Sequence, residues 1–376
     1  MAKKKVNKFN TKPTNIGVVN PYALVELKLK KKVNWKQVKN PRKLLEKTLN
    51  MPYKKLFDPK FNSPLYPGLK VNPKTKRVEK IKALSDENDQ INVLIHAVIL
   101  DPWRDAGVFF KEASEMMDPV QGALADCYHI AAQSSVAWAR TYAIAQRTRA
   151  TGTNQQSFVD LIRFYDDGQV NNIEVSERIP MTTGSNPSFI YARSSEQGEI
   201  WPAIYEKAYA KWKGSTSGDR PDYSVLNYGD PVLACAQLTG LRKYYYSNPS
   251  LSTDVIWTRI RENCMSQKTF NPMVARTYGS SNEDVDYNNT NIVANHAYSL
   301  IGWHTASGKR YVVLRNPWGQ TEPSISADGG TWYVWDAPYH FGPGWTRAVA
   351  LTPNDGIIAL GLAAFKSYFA GFGLVK

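Results

Sequence analysis

The sequence predicts an α+β chain. A helical part comes first, an antiparallel β part follows, and an extended basic arm precedes both. Three observations carry this. Asp126 to Ala150 runs without Gly or Pro, with an apolar stripe of Ile130, Ala131, Ala137, Trp138, Thr141 and Ala145. From Asn295 onward β-branched apolar runs alternate with turn residues. Residues 1–83 hold 23 Lys/Arg against four acids (Glu26, Glu46, Asp58, Glu79), a net +19, within an overall +14. The remaining residues therefore sum to −5.

The arm contains Lys28-Leu-Lys-Lys-Lys32 and the breakers Pro13, Pro21, Pro41, Pro52, Pro59, Pro64, Pro67 and Pro73, which favour an extended chain. Such an arm attracts a polyanion, whether nucleic acid, anionic lipid or an acidic protein surface, or serves simply as a solubilising tail. Trp35 and Tyr53 are too few and too scattered to make a base-stacking surface. Residues 84–118 read as mostly helical, interrupted at Asp101-Pro-Trp-Arg104. The long helix begins at Asp126, which reads as its N-cap. Residues 151–197 alternate polar and apolar and suit strands and loops. Trp201 to about Trp212 is a helix, with Pro202 in its first turn and Gly214 closing it. Val232–Leu241 and Ser252–Glu262 are further helices. Ala297–His304 and Arg310–Arg315 flank Thr305-Ala-Ser-Gly-Lys309 as a hairpin, and Thr331–Trp335 is another strand. No internal repeat is visible.

These elements divide the chain into a basic arm (1–83), a helical part (84–213), a β-rich part (214–354) and an apolar tail (355–376). Gly356–Val375 has Lys366 as its only charge. It barely matches a bilayer in length and carries that charge mid-segment, so docking on its own body or on a partner outweighs a membrane anchor. With 43% hydrophobic and 21% charged residues, the chain as a whole is globular. Met1-Ala-Lys-Lys-Lys5 is not followed by an apolar stretch, so no signal peptide is expected. Three cysteines, Cys127, Cys235 and Cys264, exclude a disulfide scaffold and point to a reducing, intracellular compartment. No Cys pair or Cys/His cluster suggests structural zinc.

The chemistry concentrates at Gln121-Gly-Ala-Leu-Ala-Asp-Cys127. A thiol at a helix N-terminus sits in the positive end of the macrodipole, which favours thiolate. Its reactions need an imidazole and a group to orient that imidazole. His296 and Asn316 flank the hairpin almost symmetrically, as cross-strand neighbours would, so Asn316 can fix one ring nitrogen and leave the other for the thiol. Gln121 and the Cys127 N–H can donate to a developing oxyanion. Cys235 and Cys264 read as buried hydrophobes. His129 falls on a different helix face from Cys127, and His96, His304 and His340 read as structural.

Four blocks together resemble the calpain protease core: Gln121-Gly-Ala-Leu-Ala-Asp-Cys127, Gly198-Glu-Ile-Trp-Pro-Ala-Ile-Tyr-Glu-Lys-Ala-Tyr-Ala-Lys211, Asn295-His-Ala-Tyr-Ser299 and Leu314-Arg-Asn-Pro-Trp-Gly319. The resemblance covers about residues 84–354. It implies a papain-like two-lobed fold with protein substrate in the inter-lobe cleft. Cys127 is then nucleophile, His296 base and acid, Asn316 orienter, Gln121 oxyanion donor, and Trp318 a shield and gate over the Asn–His contact. It also implies Ca²⁺ held by Asp118 and Glu199 in the first lobe and by Glu322 and Asp328 in the second, where a short loop between Trp318 and Trp332 departs from the family. Ala125 stands where the family has Gly, and Tyr128 where it has Trp. The expected function is a calpain-like cysteine endopeptidase, tethered or packaged in a larger assembly if its arm and tail have partners. The alternative is a structural component of a virion, nucleoprotein or membrane-associated complex, with the calpain-like body anchored by its basic arm.

Overall fold

The computed structural model describes residues 20–29, 31–49, 69–71, 78–80, 103–145 and 148–149. It also describes residues 159–376 apart from 183–186, 280, 281, 283, 324, 337–344, 352 and 353. Among the described residues the fold is mixed: seven α-helices and antiparallel sheets. The expectations for His96 and His340 lie outside the described residues.

The arm is not extended over residues 20–49. It forms helices α1 (Pro21–Leu29) and α2 (Pro41–Leu49). The prolines that looked like breakers are helix starters. Pro21 and Pro41 occupy first-turn positions, where a missing N–H costs nothing. Asn20 Oδ1 accepts from Tyr22 N at 3.0 Å, and Asn40 Oδ1 from Lys43 N at 2.9 Å. Tyr22, Ala23, Leu24, Val25, Trp35, Leu45 and Leu49 are all buried. Farther along, β1 (Leu69–Val71) pairs with β2 (Val78–Lys80).

Residues 103–118 hold no helix, against expectation, and 84–102 lie outside the described residues. Strand β3 (Trp103–Asp105) leads into a run bridged to Glu199 through Val108. There Gly107 comes so close to Gly198 that a Cβ would sit 2.1 Å from its carbonyl oxygen, an approach no helix permits. Strand β4 (Pro119–Val120) then delivers the chain to the long helix. That helix, α3, spans Cys127–Ala139 and ends well short of residue 150. Arg140 leaves helical geometry (φ −148°, ψ 63°), and the Thr141 hydroxyl bonds back to Ala137 O at 2.8 Å. All thirteen residues of α3 are buried, so the expected stripe is one side of a helix enclosed on every side.

Strands β5 (Thr148–Arg149), β6 (Val159–Asp166) and β7 (Gln169–Ser176) form one antiparallel sheet. Strand β8 (Arg178–Pro180) pairs with β3, and β9 (Arg193–Ser194) with β4. Helices α4 (Trp201–Lys213), α5 (Pro231–Thr239) and α6 (Thr253–Arg261) stand close to where the sequence put them. Asp230 caps α5 and Ser252 caps α6 with their side-chain oxygens.

The largest sheet has eight strands. Its main path runs β10 (Lys243–Ser247), β19 (Phe369–Val375), β12 (Lys268–Thr277), β13 (Ala297–Ala306), β14 (Lys309–Arg315), β18 (Ile357–Gly361), β15 (Ala327–Asp328), with β11 (Cys264–Met265) on β12. Strands β16 (Thr331–Asp336) and β17 (Trp345–Ala350) pair separately. Residues 357–375 are therefore no separate tail. Strand β18 pairs with β14, helix α7 (Leu362–Tyr368) follows, and β19 lies between β10 and β12. Their apolar side chains fill the protein's own core with Ile256, Met273, Tyr298 and Leu314. Helix α3 packs across β12 and β13, which sets the thiol-bearing helix against the sheet that leads to His296.

Candidate active site

Cys127 is the first residue of α3, so its backbone N–H has no intrahelical acceptor and the helix dipole favours negative charge there. Gly122 makes the preceding turn possible. A Cβ at that position would lie 2.2 Å from the backbone of Tyr191. Ala125 serves without strain where the family has Gly. Its backbone is absent from the positive-φ positions, and its N–H reaches Asn227 Oδ1 at 3.1 Å. Cys127 Sγ accepts from the backbone N–H of Ala297 at 3.4 Å, which places the sulfur beside His296.

His296 and Asn316 meet. His296 Nε2 and Asn316 Oδ1 are 3.0 Å apart, while His296 Nδ1 has no hydrogen-bond partner. They are not directly opposite, as symmetry about the loop suggested. The hairpin pairs Ala306 with Lys309, and a bulge between Leu300 and Gly302 brings Ser299 opposite Arg315, so continuing the ladder would set 298, not 296, opposite 316. His296 is thus a diagonal neighbour on the same face as residue 298, still within side-chain reach. Thr277 Oγ1 accepts from His296 N at 2.9 Å. Asn316 is held by Gly356 O on its N–H and by Thr321 O on its side-chain nitrogen. Trp318 stands with its ring 4.9 Å from the imidazole, and its backbone N–H donates to Asn316 Oδ1 at 3.1 Å. Burial pushes His296 down to about 3, although the Asn316 hydrogen bond opposes this, so the ring is neutral at pH 7.

Gln121 lies just before the helix. Its Nε2 donates to Leu124 O at 2.6 Å, and its backbone N–H to Pro317 O. One amide hydrogen is thereby used to fix the side chain, and an NH₂ group carries two.

Asp126 does not cap α3. Its side chain makes no cap hydrogen bond and is fully buried beside Glu206. Burial raises both carboxyls; Asp126 pushes Glu206 up further, while the hydrogen bond from Glu206 holds Asp126 lower, so the pair holds a proton on Glu206. Glu206 also accepts from Ala192 N at 2.9 Å. His129 stacks flat on Tyr209 at 4.0 Å, which agrees with a packing role. His304 bonds Asp328 Oδ2 at 3.1 Å.

The four expected calcium ligands separate into two groups. Burial raises both Asp118, to about 7, and Glu199, and the charge of Glu199 raises Asp118 further. Asp118 Oδ2 accepts from Trp201 Nε1 at 3.0 Å and from Glu115 N at 2.6 Å. Glu199 accepts from Ser194 and from Lys111 N. Two crowded acids are hard oxygen donors of the right kind for Ca²⁺. Glu322 instead accepts from the N–H groups of Asp355 and Gly356, and Asp328 is paired with His304. Among the described residues no group of three or more His, Cys, Asp or Glu is placed to hold a metal ion.

Sequence reasoning passed over Arg315. It is fully buried, donates to Ser134 Oγ at 2.7 Å and to Met117 O at 2.8 Å, and so ties the Asn316 strand to α3. Its place in Leu314-Arg-Asn316 was the available signal. It also passed over the cover of the site. Cys127, His296, Asn316 and Gln121 all have zero exposure. Asn20 Nδ2 donates to Gln121 O at 2.8 Å, the Tyr22 ring meets Trp318 edge-on at 6.4 Å, and Glu26 pairs with Arg193 at 3.6 Å.

A thiol at a helix start, faced by an imidazole that a carboxamide orients, is the equipment of a cysteine peptidase. The chain belongs to the calpain family of cysteine proteases, whose description matches residues 99–337. It is 29% identical over 317 residues to a thiol protease of Porphyromonas gingivalis, covering 78% of this chain and 61% of that protein. It is 29% identical to Calpain-13 of Rattus norvegicus over 57% of this chain and 31% of that one. A calpain-type cysteine protease of Oryza sativa, ADL1, is also 29% identical, over 56% of this chain and 9% of its own length. The chain thus spans less than two thirds of the relatives it matches. Among the described residues no helix is long and apolar enough to cross a membrane.

Proposed function

We propose that the chain is a calpain-like cysteine endopeptidase with a Cys127–His296–Asn316 triad in a papain-like, two-lobed core. The hydrogen bond that His296 Nε2 donates to Asn316 Oδ1, which leaves Nδ1 for the thiol, carries this reading. His296 takes the Cys127 proton, and the sulfur attacks the scissile carbonyl. The Cys127 N–H and the Gln121 side-chain amide hold the oxyanion. The imidazolium then protonates the departing amine. Water, deprotonated by the same ring, releases the acyl group and regenerates the thiol.

Ca²⁺, when bound, supplies positive charge between carboxylates that otherwise repel. Asp118 and Glu199 would hold it, and Glu322 and Asp328 would not. A thermal midpoint that rises with added Ca²⁺ in the unaltered chain, and not in Asp118→Asn, is the expected sign. No shift would remove calcium from the account.

The catalytic test uses an unfolded protein substrate and the chain carrying Tyr22→Glu, which loosens the cover over the thiol. New peptide termini are mapped by mass spectrometry. Adding Cys127→Ala is expected to cut turnover by at least about a thousandfold. Undiminished cleavage by that variant, or none by a folded Tyr22→Glu chain whose Cys127 alkylates readily, would sink the reading.

A further inference from the structure

We infer that residues 20–49 are an inhibitor of this chain's own cleft, seated across the thiol site and bridging its two sides. This rests on the peptidase reading above and adds its regulation.

The contacts fall on both sides of the site. Asn20 holds the carbonyl of Gln121, and Glu26 pairs with Arg193, which lies opposite Val120 in the β4–β9 pair. Lys32 lies over the Phe189 ring at 5.9 Å. On the other side Tyr22 packs against Trp318, the indole that covers the His–Asn contact. Within the segment Trp35 meets Tyr22 at 5.0 Å and donates to Glu26 at 2.8 Å, so the two contact residues brace each other. Leu24, Val25 and Leu45 are buried in the same core cluster that contains Cys127, Leu124 and Trp318. The outcome is a nucleophile with no exposed surface.

The secondary structure explains why the segment blocks rather than reacts. A peptidase needs its substrate extended, with the scissile carbonyl free to enter the oxyanion donors. Residues 21–29 are helical, so the carbonyls of the first turns are occupied within the helix. A helix in a cleft is a poor substrate and an effective plug. The closed site also holds the neutral imidazole, which is the resting partner of an unreacted thiol. The segment carries nine Lys/Arg against two acids, while residues 84–376 are net negative, so charge favours the docked state.

Two readouts separate the cover from the catalysis. Iodoacetamide needs access and a thiolate but no substrate cleft or oxyanion site, and its adducts on Cys127 are counted by mass spectrometry with partly exposed Cys264 as internal reference. Turnover of an unfolded protein needs the assembled site. Tyr22→Glu and Glu26→Arg are expected to speed Cys127 alkylation at least tenfold, with Cys264 unchanged. A synthetic peptide of residues 20–49 should slow it again. Glu26→Arg combined with Arg193→Glu should restore part of the protection, which a merely unfolded variant would not do. If the unaltered chain and the variants alkylate Cys127 at one rate, the cover is refuted, whether or not the chain cleaves protein. If alkylation rises in the variants without turnover, the cover stands and the peptidase reading falls.

Discussion

Residues 20–49 and residues 357–375 both carry apolar runs near a chain end, and the molecule uses them in opposite ways. Strand β19 pairs with β10 on one side and β12 on the other, so its backbone is part of the sheet ladder. The backbone hydrogen bonds of the N-terminal segment, such as Leu24 N–H to Asn20 O, close within the segment. It meets the body through side chains: an amide, an ion pair and an aromatic edge. Apolar burial alone does not make a segment integral. A segment that supplies its own backbone partners can leave and return, whereas one that shares them cannot.

Truncation of the two cores should break this comparison if it is wrong. Phe372→Ala is expected to cost about 3–5 kcal/mol in denaturant unfolding, because the ring is buried among Tyr246, Phe365 and Tyr298's cluster. Leu24→Ala removes an equally buried side chain, yet the main transition should move by less than about 1 kcal/mol, since α1 can undock locally. Hydrogen exchange in α1 would rise instead. Equal shifts of the main transition in both variants would make the N-terminal segment as integral as β19.

Acid titration sharpens the same point. Burial holds His129 and His296 at about 3, below the unfolded value near 6.5. The unfolded chain then binds more protons between those limits. Stability from both rings is complete above about pH 6.5 and is lost as pH falls toward 3. Tyr22→Glu should raise the His296 titration toward its ordinary value by exposing the site, and leave His129 low, because that ring is sandwiched against Tyr209. Ring-proton NMR reads both. If the two move together, the cover is not local to the cleft. The smallest effect expected is from salt. Raising ionic strength should speed Cys127 alkylation only a few-fold, since the Glu26–Arg193 pair is partly buried and screened little.

The sequence made some of this legible and hid the rest for physical reasons. Thiol, imidazole and amide were readable because four short blocks fix their order. Helix α4 was readable because Pro202 and Gly214 mark its ends locally, and α6 starts at its Ser252 cap, whereas α5 stops at Gly240 inside the expected Val232–Leu241. The end of α3 was not, because Arg140 leaves the helix where Thr141 bonds back and Trp138 is held by Ile301 O. The bulge in β13 was invisible to symmetry about the loop. The arm misled most. Pro and Asn signal both a break and a beginning, and only the packing of Tyr22 and Leu24 decides between them.

Helix α3 is stitched to the sheet beneath it. Ser135 Oγ donates to Met273 O and accepts from Met273 N, and Trp138 Nε1 donates to Ile301 O. Ser299 Oγ donates to Ala131 O, and Arg315 to Ser134 Oγ; all five bonds are buried, at 2.7–2.8 Å. Stranding such groups costs roughly 1–3 kcal/mol apiece, so sliding the helix over the sheet would consume much of a domain's entire stability. The seam between this helix and the sheet is a weld. On the reading proposed above, a machine built this way is started by clearing its doorway, because helix and sheet do not slide to meet.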